Sequence, residues 1–469
     1  MDNSWIHDEN GVQDPHRRVM KTKVLLTVIL LAAGIVGGII FGSLSTETTQ
    51  YQADGIVIDF GNYNTVWTEF DFSEGSAPLE LLVLACGEDY NNYSLTIEDG
   101  TVTEIDGTVN DSDSCWGLWY VAPGSTSFTE ADNYDLNAAD YTVTVWAYCA
   151  NGSEPSVAVD ATGVSIYGYN QASSIVTLSP VATEIVGAMN AVSILAGTDS
   201  YSDYPASVVA GHNDGSIAVV GTYTDPSYES ILAVSPDLVI CDGSQYSHVN
   251  MAEKVRNSNA VAVVLYDGES ISNILDNIFI VGNAMGYGLR AQTVIEELQL
   301  AFLQLEEKVA DYGCEDVMIT LSDDPSPYVA ASNTYADDIM VLVNGTNTFA
   351  DMNGWVHLNY EYISQRNISK IIIISSDPTY SADEATYQSL MDGLSAEWKS
   401  TAAYQNGEIY LICESAGEMA SRYGPRCAQL TELFALILDP DAFDTAVPHY
   451  IGDDYTDYLT ITKDLGYGD

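Results

Sequence analysis

The chain has 469 residues, 46% of them hydrophobic, which is ample for two or three domains with true cores. Its net charge of -53 arises less from 67 acidic residues than from a shortage of basic ones, of which there are 14. Such a surface repels nucleic acid and anionic lipid headgroups, which argues against both as partners, and it suits a saline or harsh exterior.

Four of the basic residues, Arg17, Arg18, Lys21 and Lys23, close a polar leader of residues 1–23. Residues 24–46 carry no charge and are long enough to cross a bilayer as one helix. The basic cluster before this segment and the acidic chain after it predict a cytoplasmic N-terminal tail, a single-pass anchor at the cell membrane, and an extracellular bulk. The polar leader and the long apolar run favour an uncleaved anchor over a signal peptide. The seven cysteines (86, 115, 149, 241, 314, 413 and 427) then all lie outside, where disulfides are permitted, and the odd number leaves at least one unpaired or intermolecular. Sequons at Asn92, Asn110, Asn151, Asn344 and Asn367 fit an exported surface.

Beyond a short polar spacer, residues 56–150 alternate apolar with polar in runs such as GIVIDFG, TVWTEFDF and YTVTVWAYCANG, broken by one helical run from Ala77 to Cys86. This predicts a small α+β domain, followed by a linker over 151–172. From Ser173 the runs SIVTLS, DLVICDG and AVVLYDG alternate with helical stretches, the signature of a parallel α/β lobe over 173–270. Leu298, Phe302, Leu305 and Val309 recur at helical spacing within one uninterrupted pattern from 271 to 311, predicted to be a single bridging helix. A second α/β lobe over 312–440 carries the strands DVMITLS, IIIISS and EIYLICES, with helices near 334–344, 383–399 and 426–438. Residues 441–469 are expected to form an acidic tail.

Each lobe contains a copy of one device. Glu229 precedes the strand that starts at Leu238 by nine residues, and Glu361 precedes the strand that starts at Lys370 by nine. Both glutamates sit on a turn or two of predicted helix. Two lobes, each presenting one carboxylate at the same place, fit a binder that docks on a partner with a basic socket per lobe.

Residues 173–440 resemble the cobalamin- and siderophore-binding subunits of ABC importers, above all the periplasmic cobalamin binders. The resemblance is carried by Thr177-Leu178-Ser179-Pro180 with Thr183-Glu184, Ser200-Tyr201-Ser202-Asp203-Tyr204-Pro205, Ser235-Pro236-Asp237-Leu238-Val239-Ile240, Asn344-Gly345-Thr346-Asn347-Thr348-Phe349, Trp355, and Arg422-Tyr423-Gly424-Pro425-Arg426. It implies the helical-backbone periplasmic-binding-protein fold, α/β with two lobes joined by one long helix, and no prosthetic group. It also implies that Glu229 and Glu361 pair with arginines of an ABC permease, itself driven by an ATPase. Family ligand contacts fall on Tyr201, Tyr223, Asp242, Tyr328, Trp355, Glu418 and Arg422, with Asp242 standing where the family has a tryptophan. Residues 56–150, through Gly117-Leu118-Trp119-Tyr120-Val121, Tyr134-Asp135-Leu136 and Tyr141-Thr142-Val143-Thr144-Val145-Trp146, resemble the transcobalamin C-terminal-like domain. Together these likenesses point to a corrinoid, cobalamin foremost, as transported ligand. A ferric siderophore or haem on the same fold is the alternative, and a surface adhesion or sensing protein the alternative of another class. His357, two residues after Trp355, is the weak candidate for a metal ligand. No nucleophile elbow, zinc-protease motif or phosphate loop occurs, so no enzyme activity is expected.

Overall fold

The structure is a computed structural model. It describes residues 55–465 apart from 62–64, 70–76, 89, 122–127, 133, 135, 137–142, 151–154, 156–157, 165, 167–171, 259, 313–314 and 464. The predicted leader and anchor, residues 1–46, lie outside the described residues, and among those described no helix is long and apolar enough to cross a membrane. The chain divides into two compact units, Met1–Pro155 and Ser156–Asp469.

The first unit is built of β1 (Gly55–Asp59), β2 (Thr65–Glu69), α1 (Pro78–Ala85), β3 (Leu95–Glu98), β4 (Thr101–Ile105), β5 (Thr108–Val109), β6 (Ser114–Val121), β7 (Phe128–Glu130) and β8 (Val143–Ala150). One sheet runs β2-β1-β8-β6-β7 and a second β3-β4-β5. Ile56, Ile58, Leu118 and Trp146 project from the larger sheet onto Leu82 and Ala85 of α1, and all six are at most 1% exposed. Among the described residues of this unit, the helix Pro78–Ala85 is one residue shorter at each end than the pattern suggested. Pro at the first helical position, and Glu80 reaching back to the Ala77 amide, explain that start.

The second unit opens with lobe 1: β9 (Ile175–Thr177), α2 (Pro180–Ala188), β10 (Leu195–Thr198), α3 (Ala206–Asp214), β11 (Ala218–Val219), α4 (Tyr228–Ala233), β12 (Leu238–Asp242), α5 (Tyr246–Arg256) and β13 (Val261–Leu265). Its five strands are all parallel in the order β11-β10-β9-β12-β13. Then follow α6 (Ile271–Met285) and α7 (Gly288–Val309). Lobe 2 comprises β14 (Asp316–Thr320), β15 (Tyr328–Ala330), α8 (Tyr335–Leu342), β16 (Thr346–Asn347), β17 (Trp355–His357), α9 (Tyr360–Ser364), β18 (Lys370–Ile374), α10 (Glu384–Gly393), α11 (Ala396–Lys399), α12 (Ala402–Asn406), β19 (Ile409–Ile412), α13 (Glu414–Ala420), α14 (Cys427–Leu438), α15 (Pro440–Phe443) and β20 (Tyr450–Ile451). Its main path is β17-β15-β14-β18-β19-β20, with β16 beside β14. Each sheet reverses its winding once, between β9 and β12 in lobe 1 and between β14 and β18 in lobe 2. In open α/β sheets, ligands bind outside the carboxyl ends of the strands at such points.

Three expectations are corrected. The bridge over 271–311 is two helices. Gly286 takes a left-handed conformation (φ 74°) and caps α6, and Tyr287 N–H closes on Gly282 O at 2.7 Å. A side chain at Gly282 would meet Ala291 Cβ at 2.2 Å, so this glycine lets the two helices pack closely beside the break. α6 belongs to lobe 1, packing on β12 and β13, whereas α7 packs on α14 of lobe 2. The predicted linker is partly fixed: Asp160 is buried, accepts from Thr162 N, Val164 N and Val264 N, and pairs with Arg256 at 2.5 Å. The expected tail is part of lobe 2. β20 extends its sheet beside β19, and buried Glu432 accepts from five donors, the amides and hydroxyls of Thr460 and Thr462 and the amide of Ile461, which reaches both of its oxygens.

Candidate functional site at the lobe junction

The strongest link between the lobes is built by two arginines on the segment between α13 and α14. In lobe 1, Ser179 caps α2, accepting from Ala182 N, and Pro180 starts the helix, which places Glu184 on its second turn, 1% exposed. Asp199, just beyond β10, accepts from Tyr201 N and Ser202 Oγ and so folds the loop that carries Asp203. Arg426 grips Glu184 in a fork, Nε to Oε2 at 3.0 Å and Nη2 to Oε1 at 2.6 Å. Arg422 donates to Glu184 Oε1 at 3.0 Å and to both oxygens of Asp203 at 2.6 and 3.1 Å. Arg426 also stacks on the Tyr204 ring, 4.1 Å from its centroid. A cation at the N-terminus of α14 opposes the helix dipole, so this position makes sense only through its acidic partner across the junction.

The carboxyls here are not equivalent. Burial and the neighbouring Asp203 push Glu418 up to about 7. Burial would raise Asp203 as well, but the Arg422 guanidinium and the hydrogen bond with Glu418 outweigh it and hold Asp203 below the ordinary range. The pair therefore shares a proton near neutrality, with Glu418 as its donor. Burial also raises Asp199.

A second link lies at the carboxyl end of β12. Asp242 is fully buried and accepts from Ser244 N and Oγ, from Tyr223 OH at 3.3 Å, and from Tyr423 OH of lobe 2 at 2.6 Å. His248 Nδ1 accepts from Asp242 N–H, so its Nε2 carries the proton and donates to Tyr223 O at 2.6 Å. Burial lowers His248, keeping the ring neutral. Gly268 admits the Tyr423 ring, since a Cβ there would lie 2.4 Å from it. Tyr335 continues the aromatic row, with ring centroids 6.4 Å from Tyr423 and 6.2 Å from Trp355.

Of the predicted ligand contacts, Tyr223 and Asp242 thus meet in one cluster, Glu418 and Arg422 in the other, and Trp355 joins through Tyr335. Tyr201 is 61% exposed on the loop after β10. Tyr328 is exposed on β15, opposite His357 of β17 in register and 6.2 Å from its ring. His357 is itself exposed, and among the described residues no group of three His, Cys, Asp or Glu side chains is placed to hold a metal. Asp242 and Arg422 do not point freely at a ligand: internal partners already engage both. Sequence reasoning did not single out Glu184, Asp203 or Tyr423, although all three lie inside the motifs that carry the family likeness.

The two glutamates occupy equivalent places. Glu229 lies in the first turn of α4, capped by Ser227, and Glu361 in the first turn of α9, capped by Asn359. Two residues later Ile231 and Ile363, both fully buried, pin the helices to their lobes. Each helix feeds the strand beside its sheet's winding reversal, β12 or β18, and both glutamates are exposed.

The sequence profile described as periplasmic binding protein matches residues 175–416, just over half of the chain. The chain belongs to the periplasmic binding protein family. An uncharacterized ABC transporter substrate-binding lipoprotein of Bacillus subtilis is 23% identical over 288 residues, covering 61% of this periplasmic binding protein and 85% of the relative. A vitamin B12-binding protein of Yersinia pestis is 22% identical over 230 residues, covering 48% and 74%. Among solved structures, the periplasmic haem-binding protein of Roseiflexus in apo form has a TM-score of 0.47 at 20% identity, covering 57% of this chain and 98% of that one.

Proposed function

We propose that the chain is the membrane-tethered, extracytoplasmic substrate-binding subunit of an ABC importer, capturing a corrinoid, cobalamin foremost, and delivering it to the permease. The observation that carries this reading is the matched pair Glu229 and Glu361, exposed at equivalent positions of two lobes. Arginine sockets on a permease would grip each carboxylate with paired, charge-assisted hydrogen bonds. Exposed pairs contribute only about 0–1 kcal/mol each, so their part is orientation and encounter rate. Family membership and the B12-binding relative support the ligand class. Trp355 and Tyr423, half-buried on either side of the buried Tyr335, would offer flat surfaces against which a macrocycle can be buried.

Residues 24–46 would anchor the subunit beside its transporter, with the bulk of the chain outside the cell, raising the local concentration of loaded binder. The transcobalamin-like first unit would share the ligand class. Titrating the chain with cobalamin, cobinamide, haem and ferric siderophores, followed by absorbance, tests the proposal. The corrinoids are expected to bind most tightly; binding confined to a ferric siderophore or haem would overturn the corrinoid reading.

A further inference from the structure

The described chain contains five arginines, and every one is already ion-paired. Arg256 holds Asp160 at 2.5 Å, Arg290 meets Glu297 at 3.8 Å, and Arg366 holds Asp351 at 2.8 Å. Arg422 and Arg426, the two at the lobe junction, are divided between Asp203 and Glu184. The lysines do not fill the gap. Lys370 pairs with Glu408, Lys463 with Asp457, Lys399 donates to Asp392 O, and Lys308 lies over the Phe443 ring. Lys254 stands in the last turn of α5, which has run back from the carboxyl edge of the sheet toward the start of β13.

Carboxyls, by contrast, are abundant at the junction. Glu184, Asp199 and Asp242 of lobe 1 are buried and held internally, so they supply negative charge rather than ligand contacts, whereas Asp203 of lobe 1 and Glu418 of lobe 2 are only half-buried. Burial and the Asp242 carboxylate together raise Asp267. An anionic ligand group would have to detach Arg422 from Asp203, breaking two charge-assisted bonds and leaving Asp203 beside Glu418 with no guanidinium. An amide NH2 needs no such rearrangement, because it donates to the half-buried Asp203, whose carboxylate has lone pairs beyond those that Arg422 uses.

We infer that the lobe junction selects ligands by charge, accepting a neutral or cationic macrocycle with an amide rim and rejecting carboxylate-rimmed tetrapyrroles and anionic ferric chelates. The inference rests on the proposed binding role and narrows its ligand. Asp203 is then a specificity residue, since it keeps Arg422 from serving as an anion receptor.

The test compares two ligands that share one ring and differ in rim charge: dicyanocobinamide, with amide side chains, and dicyanocobyrinic acid, with carboxylates. Equilibrium binding to the full chain in detergent is measured at neutral pH. The amide corrin should bind at least ~100-fold more tightly, because unscreened like charges at a buried interface are costly. Raising salt from about 50 to about 500 mM should narrow that ratio by screening the repulsion. Asp203→Asn should narrow it at least ~10-fold by releasing Arg422. The salt series keeps the test decisive if that variant folds poorly. Equal affinity for the two corrins, or preference for the carboxylate form, overturns charge selection and leaves the corrinoid-binding role standing. Binding of haem alone, with neither corrin bound, overturns both.

Discussion

Glu418→Gln replaces a carboxyl whose ionisation the lobe junction resists. Burial and Asp203 raise Glu418 from an ordinary 4.5 to about 7. For a fully buried group a shift of that size corresponds to ~3 kcal/mol. Glu418 is only half-buried, so solvent screening reduces the effect to about 1–2 kcal/mol. The sign follows from proton uptake: the folded state holds this proton more tightly than the unfolded state does. The associated stability is complete below about 4.5 and is lost as pH rises through about 7. Glutamine mimics the protonated acid and cannot ionise. Between roughly pH 5 and 8, the wild type should therefore lose about 1–2 kcal/mol relative to the variant. Guanidinium unfolding of both proteins at the two pH values measures the difference directly. The same stability difference at both would refute the shared-proton account of Glu418 and Asp203.

Glu184→Gln removes the charge that neutralises Arg426 and one of Arg422's two carboxylate partners, and should destabilise the second unit by about 3–5 kcal/mol in thermal or denaturant unfolding. Glu432→Ala leaves the amides of Thr460, Ile461 and Thr462 without their common acceptor. It should cost at least about 2 kcal/mol and abolish amide protection at those positions in hydrogen exchange. Cys115 and Cys149 lie directly opposite one another on antiparallel β6 and β8. Leu118 O accepts from Ala131 N on the far side of β6, so residue 118 faces away from β8, and residue 115, of opposite parity, faces β8 in a hydrogen-bonded pair. The Cα separation of such a pair, about 5.5 Å, fits a disulfide. Oxidised glutathione should couple the two thiols with loss of two hydrogens, read as one cross-linked peptide in non-reducing mass spectrometry; independent alkylation of both after oxidation would contradict it.

The elements that the sequence shows clearly are those with one dominant local signal. Ile371–Ile374, a buried run too short for a helix, is a central strand, and the paired spacing of Glu229 and Glu361 survives as two equivalent helix turns. Gly286 was hidden inside an otherwise apolar helical pattern, where a glycine reads as a tolerated defect until its left-handed φ is seen. Asp160 and Glu432 looked like ordinary acids in polar segments, because the groups they hold are remote in sequence or donate through the backbone. The same holds for the lobe junction. Arg422 and Asp203 are 219 residues apart and Arg426 and Glu184 are 242 apart, so only the folded chain reveals that its two best anion receptors are spent internally.

Transport by the full chain with its permease and ATPase, reconstituted in liposomes, tests the central claim when Glu229→Lys and Glu361→Lys are combined. Both side chains are exposed and take no part in the junction's hydrogen bonds, so corrinoid affinity should stay within about twofold. Uptake, however, should fall to background, because each lobe now presents a cation to a basic socket. Unimpaired uptake would contradict the docking role of the two glutamates and, with it, the importer assignment.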